Sequence, residues 1–418
     1  MRKIFIAGMM IVSALFFIQG CGEKKEAQTE AVTKTAQAQV YKLGLSLAMS
    51  GPTSDAGQPY AKGVEDFFKY VNDEKLLGND TIDCTIKDDQ YQNDITKRNF
   101  EEFLTMGIPL YLNYSTGSTL ALKKDFEEVK IPVIPASFHR GNLEGSHYIF
   151  LPIASYSEQV IGLAEYVANN FKDGKAKIAL FIHPSAFGRG PVSDLEKAVA
   201  AGLNVEIVET VEHGKDLDST ATLQRLVSKG VQFVLCQTVQ SPVATFIKDA
   251  QRLGLIAGSF GEPGKITFMG AHYTGGADLI ALAGSAADNF YWTTSYSLTS
   301  VPGVGSEAQL ALAKRYGRDD KTANSHNYTN GVMVAQVAFE AIRRCKSKGN
   351  EVNRANLYNE LNDMHGLNAF YPVTTVGPVT YSPTDHTGVD SLQLYRAENG
   401  VWKAVGSPFR SEYMPKIE

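Results

Sequence analysis

The residues that could do covalent or metal chemistry are present in this chain, but their spacing does not arrange them for it. Eight histidines stand at 139, 147, 183, 213, 272, 326, 365 and 386. No pair has the i, i+4 spacing that puts two imidazoles on one helix face for a metal ion. The P-loop, GxGxxG, HExxH, GxSxG and CxxC signatures are absent from the sequence. Ser50 and His139 are the candidates for a hydrolase, and neither has a recognisable partner in the nucleophile and base relay that such an enzyme needs. Asp88 and Asp89 end a β-rich run beside a polar loop and read as surface carboxylates rather than an acid pair. Of the four cysteines, Cys84 and Cys236 fall inside β-rich runs and read as buried free thiols, with Cys345 near a helix end. No cofactor and no metal are expected, and the chain reads as a binder rather than an enzyme.

The totals remove other classes. A chain of 418 residues, 44% apolar and 20% charged, is too long for one compact core. Forty basic against 45 acidic residues give a net charge of −5, so no basic surplus exists to neutralise a phosphate backbone and nucleic acid is not an expected partner.

The elements that must position these residues follow from periodicity. The runs YKLGLSLAMS, TIDCTIKDD, PLYLNYS and IPVIPAS alternate with segments of helical period such as Val64, Phe67, Phe68 and Val71. After a break at 140–145 the alternation restarts with KIALFIH, NVEIVET, QFVLCQT and KITFMGA, between helices that include Val160, Leu163, Ala164 and Val167. Strand, helix, strand in series predicts an α/β fold with doubly wound parallel sheets. Two such series predict two lobes, over 41–150 plus 296–371 and over 151–295 plus 372–418. Beyond about residue 300 come a long helix, YTNGVMVAQVAFEAIRRC, a second helix at 354–362, and the short strands VGPVTYSP, SLQLYRAE and GVWKAVG. They are expected to complete the lobes, with Glu398-Asn399-Gly400 as a hairpin turn. In doubly wound sheets ligands bind outside the carboxyl ends of the strands. The loops to read are therefore Ser50-Gly51-Pro52, 113–118, 137–140, 183–188, 237–241 and 271–275.

At the N-terminus, Arg2 and Lys3 precede an apolar run at 4–18 that falls short of the ~20 residues needed to span a bilayer. Residues 1–20 read as a secretory signal. The polar stretch that follows, within 21–40, reads as a flexible tether with a reach of roughly 25 Å. The end of the signal, Ile18-Gln19-Gly20-Cys21, resembles a bacterial lipobox, and an ordinary signal peptide with a chance cysteine fits the same residues. The resemblance implies a lipid on Cys21 that holds the body at a membrane.

From Tyr41 to about Gly406 the chain resembles the periplasmic binding proteins of the leucine/isoleucine/valine type, the extracytoplasmic receptors of ABC importers. LAMSGPTSDAGQPYAKGVEDFFKYVN is similar to the opening strand, Ser-Gly-Pro turn and first helix of that family. PLYLNYSTGST and IPVIPAS are similar to its next ligand loops, KIALFIHPSAFGRG to the start of its second lobe, and GPVTYSPTDHTG to its final crossing. The resemblance implies a type I clamshell, two lobes joined by three hinge crossings, that traps a small molecule and delivers it as a monomer to the transmembrane subunits of an ABC permease. A ligand sensor docking on a kinase or chemoreceptor would use the same fold.

Carried over residue by residue, the resemblance puts Thr116 where a hydroxyl holds the ligand carboxylate, with Tyr114 and Ser115 beside it. Ser137 and His139 take the next loop, Phe187 the place of a covering aromatic, and Val239 the following loop. Thr116 also fits a plain cap of a helix beginning near Ser118, and Phe187 fits a core position. After the FMG strand, His272 stands where amino-acid binders carry a glutamate for the ligand ammonium, followed by Tyr273. A buried ammonium without a counter-charge is costly. Two imidazoles, His139 and His272, with Arg140 and Arg189 nearby, favour an acceptor-rich organic acid over an amino acid as ligand. Tyr60, Phe138, Trp292, Tyr296 and Tyr328 add aromatic surface for a flat or apolar ligand body, Tyr296 and Tyr328 being taken as ligand contacts.

Overall fold

The computed structural model describes residues 37–214, 218–367 and 375–414. The signal, Cys21 and the polar stretch up to residue 36 lie outside the described residues, as does the part of the expected third crossing at 368–374. Residues from Ala38 onward form one compact unit.

Periodicity and turn chemistry give two large sheets and a two-stranded one. The first series runs β1 (Val40–Leu47), α1 (Ser54–Asp73), β2 (Thr81–Asp88), α2 (Asn93–Thr105), β3 (Tyr111–Asn113), α3 (Thr116–Ala121), α4 (Lys123–Val129) and β4 (Val133–Pro135). Its strands pair in the order β2-β1-β3-β4, all parallel. The second begins with β5 (Leu151–Ile153) and continues α5 (Tyr156–Asn170), β6 (Ala176–Ile182), α6 (Ala186–Ala200), β7 (Val205–Glu212), α7 (Ser219–Ser228) and β8 (Phe233–Gln237). Then follow α8 (Gln240–Arg252), β9 (Thr267–Gly270), α9 (Gly276–Ala283) and β10 (Tyr291–Thr294). The C-terminal part holds α10 (Val304–Arg315), α11 (Asp320–Asn324), α12 (His326–Ser347), α13 (Arg354–Asn362), β11 (Thr387–Val389), β12 (Leu392–Glu398) and β13 (Val401–Phe409). The larger sheet has the order β13-β12-β10-β9-β8-β6-β7, with β12 and β13 antiparallel at one side.

Both faces of the larger sheet are buried, and β6 shows why a continuous apolar run is required. Ile178, Leu180 and Ile182 enter one core, while Ala179 and Phe181 enter the other, the period-2 alternation of a strand covered on both sides. Of the C-terminal elements, α12 packs along α1, and β12 and β13 extend the larger sheet. Close approach of α1 and α12 depends on two glycines. A Cβ on Gly63 would stand 2.3 Å from Tyr328 O, and one on Gly331 would stand 2.0 Å from Tyr60 O. The hairpin turn has Asn399 at φ 51° and Gly400 at φ 76°, the two left-handed residues of a type I′ turn. VGPVTYSP forms isolated bridges rather than a strand, and β11 lies after it, paired in parallel with β5.

Candidate functional site

The strand order in each sheet creates a switch point, between β1 and β3 in the first and between β6 and β8 in the second. Helices leave to opposite faces there, so the loops beyond those strand ends part and form a crevice. A cavity lies where the two sets of loops meet, lined by Thr53, Tyr91, Tyr114, Thr116, Ala136, Tyr156, Phe187, Val239 and Tyr273. Thr53 follows β1, Tyr114 and Thr116 follow β3, Phe187 follows β6 and Val239 follows β8.

Local chemistry fixes each of these side chains. Gly51, at φ 86°, turns the chain after β1, and a Cβ there would meet Gln90 O at 2.7 Å. Asp88 holds the same turn by accepting from Ser50 Oγ at 2.6 Å and from the Met49 amide at 2.9 Å. Asp89 is fully buried, not on the surface as its sequence context implied. It accepts from the Tyr91 amide at 2.9 Å, Thr96 Oγ1 at 2.9 Å and Ser115 Oγ at 3.3 Å, and burial pushes its carboxyl upward. Tyr91 is thereby held at φ 61°.

The polar end of the cavity is the start of α3. Thr116 is the first residue of that helix, and Ser115 is its N-cap, so the helix begins two residues earlier than Ser118. Thr116 Oγ1 accepts from Ser137 Oγ at 2.8 Å. The first amides of a helix have no intrahelical acceptor, which adds backbone donors at this end. Thr53 Oγ1 is buried and has no protein partner. Among the described residues, none that lines the cavity carries a formal charge.

Tyr114, Thr116, Phe187, Val239 and Tyr273 are thus brought together. Six other expected contacts are turned elsewhere. Ser115 bonds to Asp89, and Ser137 lies behind Thr116, fixed by Asn142 Nδ2 at 3.2 Å. His139 Nδ1 accepts from the Gly141 amide at 2.9 Å. His272 is fully buried, with His326 Nε2 at 3.0 Å and Thr294 Oγ1 at 3.1 Å from its Nδ1. Burial, then the nearness of His326, holds His272 well below the ordinary imidazole value, and burial takes His326 down to about 3. Tyr296 donates to Asn330 Oδ1 at 2.9 Å, and Tyr328 to Asp66 Oδ2 at 2.9 Å. The arginines are also engaged away from the cavity: Arg189 pairs with Glu212, and Arg140 with Glu144 at 3.0 Å. The imidazoles that favoured an organic acid therefore do not face the ligand space.

Thr53, Tyr91, Ala136 and Tyr156 line the cavity without having been picked from sequence. Thr53 and Ala136 sit one residue outside loops already singled out, so the strand-end rule with wider margins finds them. Tyr91 was hidden behind the Asp88-Asp89 pair, and Tyr156 behind the start of a helix.

A family model described as periplasmic binding protein matches residues 40–401. The chain belongs to the periplasmic binding protein family. A crystal structure of a branched chain amino acid ABC transporter from Thermus thermophilus with bound valine is 42% identical, with a TM-score of 0.84, and covers 90% of this chain and 98% of that one. The leucine-specific-binding protein of Salmonella typhimurium is 23% identical over 267 residues, 63% of this chain and 69% of the relative. A Leu/Ile/Val-binding protein homolog 1 of Brucella suis is 24% identical over 294 residues, 65% of this chain and 78% of that relative. As a periplasmic binding protein, the chain is a solute-binding protein of the ABC transporter class with the type I two-lobed fold. Among the described residues Cys84, Cys236 and Cys345 are free thiols. Among the described residues no cluster suited to a metal ion occurs, and no helix is long and apolar enough to cross a membrane.

Proposed function

We propose that this periplasmic binding protein captures a branched-chain amino acid between its lobes and delivers it to an ABC permease, held at the membrane by lipid on Cys21. The observation that carries the reading is the lining of the cavity, walled by rings and Val239, with hydroxyls and helix amides at one end. The valine-bound relative at 42% identity supports the same ligand class. The carboxylate would lie on Thr116 and the first amides of α3, and the aliphatic side chain against Phe187 and Val239. The organic-acid reading loses its support because His139 and His272 lie off the cavity.

Thermal shift and calorimetry on the delipidated protein test this. Valine, leucine or isoleucine at 100 times its dissociation constant should add about 2.7 kcal/mol of stability. Thr116→Val should weaken binding about tenfold to a hundredfold while leaving the unliganded melting temperature within about 2 °C. No response to any of the three amino acids, with a response to carboxylates lacking an amine, would refute the ligand class. Globomycin-sensitive processing and palmitate labelling that vanish in Cys21→Ser test the anchor.

A further inference from the structure

Among the described residues that line the cavity, all are buried except Tyr91, which stays partly exposed. Its ring therefore stands between the ligand space and water. Tyr91 follows β2 of the smaller sheet, yet its ring lies against His183, which follows β6 of the larger one, with centroids 5.9 Å apart at 70°. The Tyr91 hydroxyl also interacts with the side chain of Ser185, the N-cap of α6. His183 in turn meets the lining ring of Phe187 at 5.7 Å. A run of three rings thus reaches from the partly exposed Tyr91 to the cavity wall, and it changes lobes where Tyr91 touches His183.

The backbone beneath this ring is strained. Gln90 and Tyr91 are consecutive left-handed residues, at φ 54° and 61°, a conformation that is unfavourable for side chains other than glycine and asparagine. Two carboxylates hold it. Asp88 Oδ1 accepts from the Gln90 amide at 3.0 Å, and Asp89 Oδ1 accepts from the Tyr91 amide at 2.9 Å. Asp88 also binds Ser50 in the loop after β1, and Asp89 binds Ser115, the N-cap of α3. The turn that carries the ring is therefore braced against the loops that lead to Thr53 and Thr116. Strain that the surroundings over-determine in this way is found where position matters to function.

We infer that Tyr91 is the gate of the ligand cavity: a ring braced on one lobe that seats on His183 and Ser185 of the other when the lobes close, and bars the ligand's exit. The inference rests on the proposed function, capture of an amino acid between the lobes. It adds a contact made on closure, so that losing it acts on release rather than on encounter.

Stopped-flow binding and release of valine, with the full mature chain, compares the unmodified protein with Tyr91→Ala and Tyr91→Phe. Alanine bears the same left-handed backbone and lacks the ring, and the unliganded melting temperature should stay within about 2 °C. Tyr91→Ala should raise the dissociation rate about tenfold and leave the association rate within about threefold. Tyr91→Phe keeps a ring on His183 and should stay within about threefold of the unmodified protein in both rates. An unchanged dissociation rate in Tyr91→Ala overturns the gate and leaves the proposed function standing, as does a loss of affinity carried by the association rate alone. Equal acceleration of release in Tyr91→Phe and Tyr91→Ala also overturns it, because the ring would then be no barrier. If Tyr91→Ala does not fold, Tyr91→Gly, which suits the positive φ, replaces it under the same criteria. No binding of valine, leucine or isoleucine to the unmodified protein refutes the proposed function and removes the gate with it.

Discussion

His272 and His326 face each other at 3.0 Å in full burial, with Trp292 Nε1 donating to His272 O at 3.0 Å behind them. Neither ring can gain a proton without placing a charge in an apolar space beside another donor. The sign of the resulting pH dependence follows. Both folded-state values lie below the unfolded value of about 6.5, His326 at about 3. The unfolded chain therefore binds more protons at moderately acid pH, and stability contributed by neutral imidazole is full above pH 6.5 and is lost as pH falls toward the folded value. His183 and His213, both lowered to about 4 by burial first, act in the same direction. We expect the melting temperature to fall between pH 7 and pH 5, and the slope to flatten in His326→Gln. An unchanged slope in that variant would show that the pair does not titrate in this window.

At the scale of elements, α1 carries two separate duties. Its middle turns hold α12 through the contact of Gly63 and Gly331 with opposing backbone, where no flexible side chain can give way. Gly331→Ala should cost about 1–3 kcal/mol or more in urea denaturation, with binding measured well below the midpoint largely retained. The first turn of α1 reaches the other lobe: Asp55 Oδ2 accepts from Ser241 Oγ at the start of α8. This hydrogen bond joins α1 and α8 two residues beyond the lining residues Thr53 and Val239. Ser241→Ala should raise the ligand dissociation rate about twofold to tenfold, in line with one hydrogen bond of about 0.5–1.5 kcal/mol, while stability of the unliganded protein stays within about 0.5 kcal/mol. Stopped-flow release of bound valine would check it, and an unchanged rate would mean that the contact does not hold the lobes together.

For the whole molecule, a solute held between two lobes would enter and leave through an opened form. Buried Arg140 and Asp194, 3.7 Å apart, join the first lobe to α6, and Ser157 Oγ holds Asp194 at 2.8 Å. This cluster lies off the cavity, at the start of the helix that follows β5, where a crossing of the chain enters the second lobe. Small-angle scattering should show a smaller radius of gyration when valine saturates the protein, and the same radius with and without ligand would count against hinge closure.

Much of this molecule was legible as sequence because its constraints are local. A strand buried on both faces must be apolar throughout, so β6 and β8 declare themselves. The Asn399-Gly400 turn needs two left-handed residues and shows them. The strand-end rule led to the loops that hold Tyr114, Thr116, Phe187, Val239 and Tyr273, and the family resemblance singled out those residues within them. What the same rule could not supply was direction. His272 and Tyr273 are neighbours in one 3₁₀ turn, His272–Thr274, where successive side chains are about 120° apart. Tyr273 consequently faces the cavity and His272 faces His326, which arrives from a helix 54 residues further along the chain. Asp89 is equally ambiguous until Thr96 and Ser115 close over it. The sequence by itself determined the elements, their order and the loops that meet, because those follow from periodicity and backbone preference. The tertiary structure alone decided which side of each loop forms the cavity and that its wall is uncharged, because side-chain direction depends on partners that are distant along the chain.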